Sequence, residues 1–363
     1  MKRLKSIDII RGLSILWMFI GHLQEWWLKE EYTWLYDLTF KIVDPIGSAA
    51  FIFIAGLTAV LSLQARYKKA QQINNYSIKA IRKEYLYRAM ILFIVALLYN
   101  SLIAIALSNF VWIWTWFVLL TVSVSLFMSW PLLHISIKYR IGLGMVIWIL
   151  NQLLLNYLLP FQGQYNLNGI LFHVFYHNLH LDAIFSFFPF FLFGTVVGDM
   201  IFKIYLIEDE ILRKRKTLKK LIIPLFFVGL LLVFFGIIFN FPKFLTNRSF
   251  SWMIYTLGIN LTLLSILIGF EEFQIFKTNK SYHFLFYFSY YSLSVYISHN
   301  LLYFLFFEQL NSINIWIFIL ITCVLTGILL KIIYIKFGSK ASLKIQIGKI
   351  AAYLASKDFK SKS

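Results

Sequence analysis

The sequence predicts an all-α polytopic membrane protein of about ten transmembrane helices, with both termini cytoplasmic. Three observations carry this. Of 363 residues, 60% are hydrophobic and only 14% are charged, which is far from soluble composition. Apolar runs long enough to cross roughly 30 Å of hydrocarbon follow one another along the chain. The 34 Lys and Arg residues fall almost wholly into alternate connections.

The first run, 9–27, has the basic-then-apolar order of a signal peptide. It lacks a small-residue cleavage site and ends in Trp26 and Trp27, so it reads as a retained helix. Further spans are predicted at 46–65, 87–107, 111–130, 140–159, 183–204, 220–239, 252–270, 284–307 and 315–335. An even number puts both termini on one side. That side takes the N-terminus, the connections 66–86, 131–139, 205–219 and 271–283, and the tail. Counting the helix ends beside these segments with them, only Lys29, Lys41, Lys243 and Arg248 among the basic residues fall elsewhere, so the basic side is cytoplasmic. Trp26, Trp27, Trp34, Trp112, Trp114, Trp252 and Trp316 gather near the outer face as an interfacial belt. Residues 1–340 read as a single transmembrane domain and 341–363 as a basic cytoplasmic tail. The expected location is the plasma membrane.

Composition also excludes function classes. Cys323 stands alone in an apolar run, so neither an internal disulfide nor a thiolate metal site is available. The net charge of +18 calls for no nucleic acid, because clusters such as Lys214 to Lys220 lie where anionic membrane lipid attracts them. No internal repeat is visible, and the two halves lack matched Gly/Pro-broken helices. That weighs against an inverted-repeat transporter, although a proton-coupled transporter stays as the alternative reading. A homodimer is compatible with the sequence.

Ionisable side chains at membrane depth are costly and therefore informative. The first helix has Asp8, Arg11 and His22. Asp8 and Arg11 are one turn apart and able to pair. Arg11 and His22 are about three turns apart, so they share a face and are separated by roughly 16 Å. Ser14, Met18 and Gly21 continue or flank that stripe. Taken singly, Arg11 is as readily an anchor, and His22 as readily a core hydrogen-bonder. The ninth run adds weight, because Ser292, Tyr296, His299 and Asn300 share one face. His299 lies about fifteen residues from its helix start and His22 about thirteen, so the two imidazoles come to nearly the same depth.

The loop before the sixth span brings His173, His177, His180 and Asp182 to the outer rim. With no second acidic or thiolate cluster, no metal is expected there. Asp182 reads either as a helix cap or as a carboxylate that orients a catalytic histidine. At the cytoplasmic face Arg82, Lys83 and Arg88 open the third span, as plain positive-inside charge or as counter-charges for a phosphate-rich donor. Asn247-Arg248-Ser249 is a glycosylation acceptor pattern in an outer loop.

Five segments in order, RLKSIDIIRGLSILWMFIGH, AAFIFIAGLTAVLS, YLYRAMILFIVALLYN, FFPFFLFGTVVG with Asp182 before it, and SLSVYISHN, resemble landmarks of the heparan-alpha-glucosaminide N-acetyltransferase-like catalytic-domain family. More distantly they resemble the acyltransferase family 3 proteins, whose Arg-x10-His pattern Arg11 and His22 fill. The resemblance implies transfer of an acyl group, usually acetyl, from cytoplasmic acyl-CoA to a hydroxyl or amine of a sugar or glycolipid acceptor at the outer face. It implies His22 as the catalytic histidine, Arg11 as its motif partner and Arg88 as a donor-side residue. Arg11, Arg82 and Arg88 are then expected to hold acetyl-CoA or another acyl-CoA, with His299 or Asp182 fixing the tautomer of His22. One departure is that the lysosomal branch carries a histidine in its first lumenal loop, whereas residues 28–45 contain none. The physical expectation is a cavity shared by Arg11 and His22 and open to the thioester from the cytoplasmic side.

Overall fold

A computed structural model describes residues 3–72, 78–177, 181–245, 249–275 and 282–360, so His180, Asn247 and Arg248 lie outside the described residues. The described residues are overwhelmingly helical and contain no β-strand. Fifteen α-helices follow in order: α1 Lys5–Trp27, α2 Thr33–Val43, α3 Ser48–Gln72, α4 Ile78–Ala106, α5 Val118–Leu132, α6 Ile137–Leu158, α7 Leu167–Phe175 and α8 Ile184–Tyr205. Then come α9 Glu210–Thr217, α10 Ile223–Phe239, α11 Phe250–Glu272, α12 His283–Tyr290, α13 Ser292–Ser298, α14 Asn314–Phe337 and α15 Leu343–Lys360. Among the described residues, nine helical segments are long and apolar enough to cross a membrane.

The ninth expected span, 284–307, differs: it is broken into α12, α13 and a 3₁₀ turn at His299–Phe304. At Tyr291 the backbone leaves the helix, at φ −98° and ψ 19°. Backbone groups freed at membrane depth must find partners inside the protein. Here the connection from α14 to α15 and the first turn of α15 supply them. Lys344 Nζ donates to the Ser289 carbonyl at 3.1 Å and Ser342 Oγ to the Tyr290 carbonyl at 3.1 Å. In return, Tyr291 donates to the Gly338 carbonyl at 2.7 Å. The segment expected to be a tail is therefore, over most of its length, the docked helix α15.

Hydrogen bonds between helices join the ends that the charge count puts together. At the basic end Arg66 pairs with Glu84, and Arg213 with Glu272. The Glu271 carboxylate there accepts the backbone N–H groups of Lys5 and Ser6 at 2.9 and 2.8 Å. This satisfies two of the four orphan donors of α1 and sets a negative charge on its positive dipole end. In the same region Arg140, 2% exposed on α6, pairs with Asp199 of α8 and donates to Thr195 at 3.0 Å.

Helix α8 is the centre of the bundle, with nearly every residue buried. It lies directly on α3 because both helices present glycine at the contact. A Cβ on Gly56 would sit 2.0 Å from the Phe191 carbonyl oxygen, and one on Gly194 would sit 2.0 Å from that of Phe53. Outside the bundle, α2 exposes Trp34, Leu38 and Ile42 at four-residue spacing, an apolar stripe suited to lying in a membrane interface.

Candidate functional site

The far end of α1 is locked to the end of the broken span by main-chain bonds. Trp27 Nε1 donates to the Leu302 carbonyl at 2.9 Å, and the Glu308 and Leu310 N–H groups donate to the carbonyls of Trp26 and Trp27 at 3.0 and 2.8 Å. This clamp sets His22 against His299, with ring centroids 5.0 Å apart. Trp26, one turn beyond His22, stacks on both rings, at 5.2 Å from His22 and 5.5 Å from His299.

Each imidazole is oriented by an acceptor. His22 Nδ1 lies 3.0 Å from Glu25 Oε2, and His299 Nδ1 bonds the Tyr296 carbonyl. Carboxylates and carbonyls only accept, so both Nδ1 atoms carry the proton in the neutral rings and both Nε2 atoms present lone pairs. The two differ in access. The His22 side chain is 38% exposed, whereas His299 is 3% exposed. His22 can therefore meet a substrate, with His299 behind it.

Tyr296 connects this pair to the rest of the bundle. Its ring lies 5.8 Å from His299 and 5.5 Å from Tyr99, whose hydroxyl accepts from Asn300 Nδ2 at 2.9 Å. Asp182 is held by its main chain: its N–H donates to Trp116 and its carbonyl accepts from Thr121. Its carboxylate lies within electrostatic reach of the Tyr296 phenol. The Nδ1 atoms of the two histidines are engaged by Glu25 and by main chain, and Asp182 stands one layer back, beside Tyr296.

Toward the basic end, the α1 face that joins His22 to Arg11 borders a cavity of only about 30 Å³, lined by Ser14, Met18, Phe51, Val118 and Tyr296. That is room for a water molecule rather than for a substrate arm, and neither Arg11 nor His22 lines it, so this face does not hold the open shared cavity expected from the sequence. Below it, Arg11 Nη2 donates to Thr58 Oγ1 at 3.1 Å. Asp8 does not form the expected pair with Arg11. Arg3, from just ahead of the helix, grips both carboxylate oxygens at 2.6 and 3.0 Å, and Ser289 donates to Oδ1 at 3.0 Å. Arg88 and Lys344 lie close enough to Arg11 to feel its charge. Among the described residues no carboxylate forms an ion pair with Arg11, Arg88 or Lys344. Part-buried cations without counter-ions make an anion site, because an anion restores what burial costs them.

Arg82 parts company with this group. Six residues from Arg88, it points about 120° away around α4. Its guanidinium lies over the Trp130 ring at 6.0 Å, and with Tyr67, Lys79 and His134 it lines an open pocket of about 430 Å³. His173 and His177 meet each other, Nδ1 to Nδ1 at 3.0 Å, and His177 packs on Trp112 at 5.3 Å, so they fasten α7 to the segment before α5. Burial lowers the His173 pKa and favours the neutral ring this contact needs.

Three site residues escaped the sequence reading as such. Glu25 and Trp26 follow His22 at i+3 and i+4, the spacing of helix neighbours, and that signal was available. Lys344 lay in the expected tail and gave none. In comparisons with known proteins, a family model described as an acyltransferase domain matches residues 4–334. No curated protein matches the chain.

Proposed function

The chain belongs to the acyltransferase family whose model spans residues 4–334, and from that premise we propose that it moves an acyl group from a cytoplasmic acyl-CoA to a sugar-like acceptor at the outer face. Acetyl is the first group to test, and a hydroxyl or amine of a glycan or glycolipid is the nucleophile. The observation that carries the reading is the His22 imidazole, half-exposed, with Nδ1 on Glu25 and Nε2 unengaged. The sugar part rests on the likeness of the opening segment to the glucosaminide-acetylating proteins.

In this mechanism the acceptor oxygen or nitrogen attacks the thioester carbonyl while its proton passes to His22 Nε2. The tetrahedral intermediate collapses, the carbon–sulfur bond breaks, and the leaving thiolate takes the proton from the imidazolium. Glu25 stabilises that imidazolium while it exists. His299 Nε2, the second lone pair at the site, accepts a hydrogen bond and aligns the acceptor. An acyl-imidazole route through the same Nε2 uses the same residues. Arg11 and Arg88 take coenzyme phosphates, and Arg82 with Trp130 offers an outer contact for the nucleotide. The roughly 16 Å rise from Arg11 to His22 suits a pantetheine arm. Its route passes the narrow cavity, where Met18, an unbranched side chain with several rotatable bonds, is the residue best able to move aside.

The test uses purified protein in lipid nanodiscs with acetyl-CoA and a glucosamine-terminated acceptor. Free thiol release that depends on the acceptor, and falls by at least about a hundredfold in a folded His22→Ala variant, is the expected result. Acceptor flux into vesicles without any thioester turnover would refute the proposal in favour of transport.

A further inference from the structure

Helix α15 lies wholly beyond the family-matched span, yet it reaches back into the basic end. Ile347, Ala351 and Ala355, four residues apart, bury one face where α15 packs on α4. Lys349, Tyr353 and Lys357 remain exposed on the other side. Docking that apolar face turns Lys344, in the first turn, inward. Its Nζ bonds the Ser289 carbonyl at 3.1 Å, the Ser289 hydroxyl bonds Asp8 at 3.0 Å, and Arg3 bridges the Asp8 carboxylate.

A neutral carbonyl is the one hydrogen-bond partner of Lys344 among the described residues. An ammonium has three N–H donors, so two stay unused. Lys344 also feels the repelling charges of Arg11, Arg88 and Arg3 and the attracting charge of Asp8. The nearest acid, Asp8, is already engaged by Arg3 and Ser289. Three cations, from α1, α4 and α15, thus converge with no carboxylate of their own. Such an arrangement repels itself unless an anion joins it, and a phosphoryl group offers both the charge and several acceptor oxygens.

We propose that Lys344 is a donor-binding residue, acting with Arg11 and Arg88 on a phosphoryl group of the nucleotide thioester, and that α15 is therefore part of the functional site. This rests on the acyl-CoA reading above. A membrane lipid phosphate offers the same chemistry, and the experiment separates the two sources.

Wild type, Lys344→Gln, Lys344→Arg and the surface control Lys349→Gln are compared in nanodiscs of phosphatidylcholine alone. Binding of adenosine 3′,5′-bisphosphate is measured by calorimetry, and KM is measured for acetyl-CoA and for acetyl-pantetheine, which lacks the nucleotide. Lys344→Gln is expected to weaken nucleotide binding and raise the acetyl-CoA KM, each about tenfold, with the acetyl-pantetheine KM unchanged. Lys344→Arg restores most of the loss, and Lys349→Gln behaves as wild type. Unchanged nucleotide binding in Lys344→Gln overturns the proposal. So does an equal rise in both KM values with a lowered melting temperature, which marks a purely structural lysine. Nucleotide binding by no variant, with Lys344-dependent stabilisation by phosphatidylglycerol nanodiscs, assigns the site to lipid and overturns it as well. Lys344-dependent nucleotide binding without thioester turnover in wild type sinks the acyltransferase reading while leaving this assignment in place.

Discussion

Replacing Glu25 with Gln removes one charge from the candidate site while leaving its shape almost unaltered. The amide oxygen of Gln still accepts from His22 Nδ1, so the ring keeps its tautomer and orientation. What is lost is attraction for the imidazolium that forms as the acceptor is deprotonated. The pair is 3.0 Å apart, with side chains 38% and 46% exposed. Two unit charges at about 4 Å attract by about 1 kcal/mol in water and about 4 kcal/mol at an effective dielectric constant near 20. A half-exposed pair falls between, at about 2 kcal/mol, which corresponds to roughly thirtyfold in rate. The assay is thiol release under saturating acetyl-CoA and acceptor, with the melting temperature as a control for folding. A thirtyfold fall in kcat with both KM values near wild type is expected. A fall under threefold, or one confined to the acetyl-CoA KM, would show that the carboxylate does not assist His22 in the rate-limiting step.

Three other substitutions probe the route and the frame. Met18→Trp should fill the narrow cavity between Arg11 and His22, lowering turnover of acetyl-CoA at least tenfold while sparing adenosine 3′,5′-bisphosphate binding; normal turnover would place the arm elsewhere. Arg140→Ala leaves Asp199 buried and unpaired, a loss of about 3 to 5 kcal/mol, and the double change Arg140→Met with Asp199→Leu should recover most of it in thermal melts. Equal melting temperatures for the single and double variants would contradict that account. Gly56→Ala forces a methyl into the Phe191 carbonyl, and because neither helix backbone can retreat cheaply the loss should reach about 1 to 3 kcal/mol. Unaltered stability there would mean that α3 and α8 are less tightly apposed than described.

The apolar runs and the one-sided placement of Lys and Arg made the helix order readable, because both follow from the solvent rather than from any particular contact. The meeting of His22 and His299 was readable for a related reason: depth along a helix is set by residue count. The break at Tyr291 was not. The partners that hold it, Gly338, Ser342 and Lys344, lie some fifty residues downstream, beyond the reach of any local pattern. Asp8 shows the same limit at short range. Helix spacing allowed a pair with Arg11, but Arg3 reached it first from outside the helix, where periodicity gives no guidance. Arg82 and Arg88 looked like one group because they share a segment, although six residues along a helix already turn them about 120° apart; the packing of α4 shows which neighbours each one meets.

The carbonyls of Ser289 and Tyr290 are satisfied by side chains made fifty residues later. Synthesis runs from the amino end, so during insertion the ninth crossing must wait, incompletely bonded, until Ser342 and Lys344 emerge. Assembly of the broken span is thereby tied to the emergence of Ser342 and Lys344. A product cut short before Ser342 would carry all of the apolar spans and still lack the donors that reach the Ser289 and Tyr290 carbonyls.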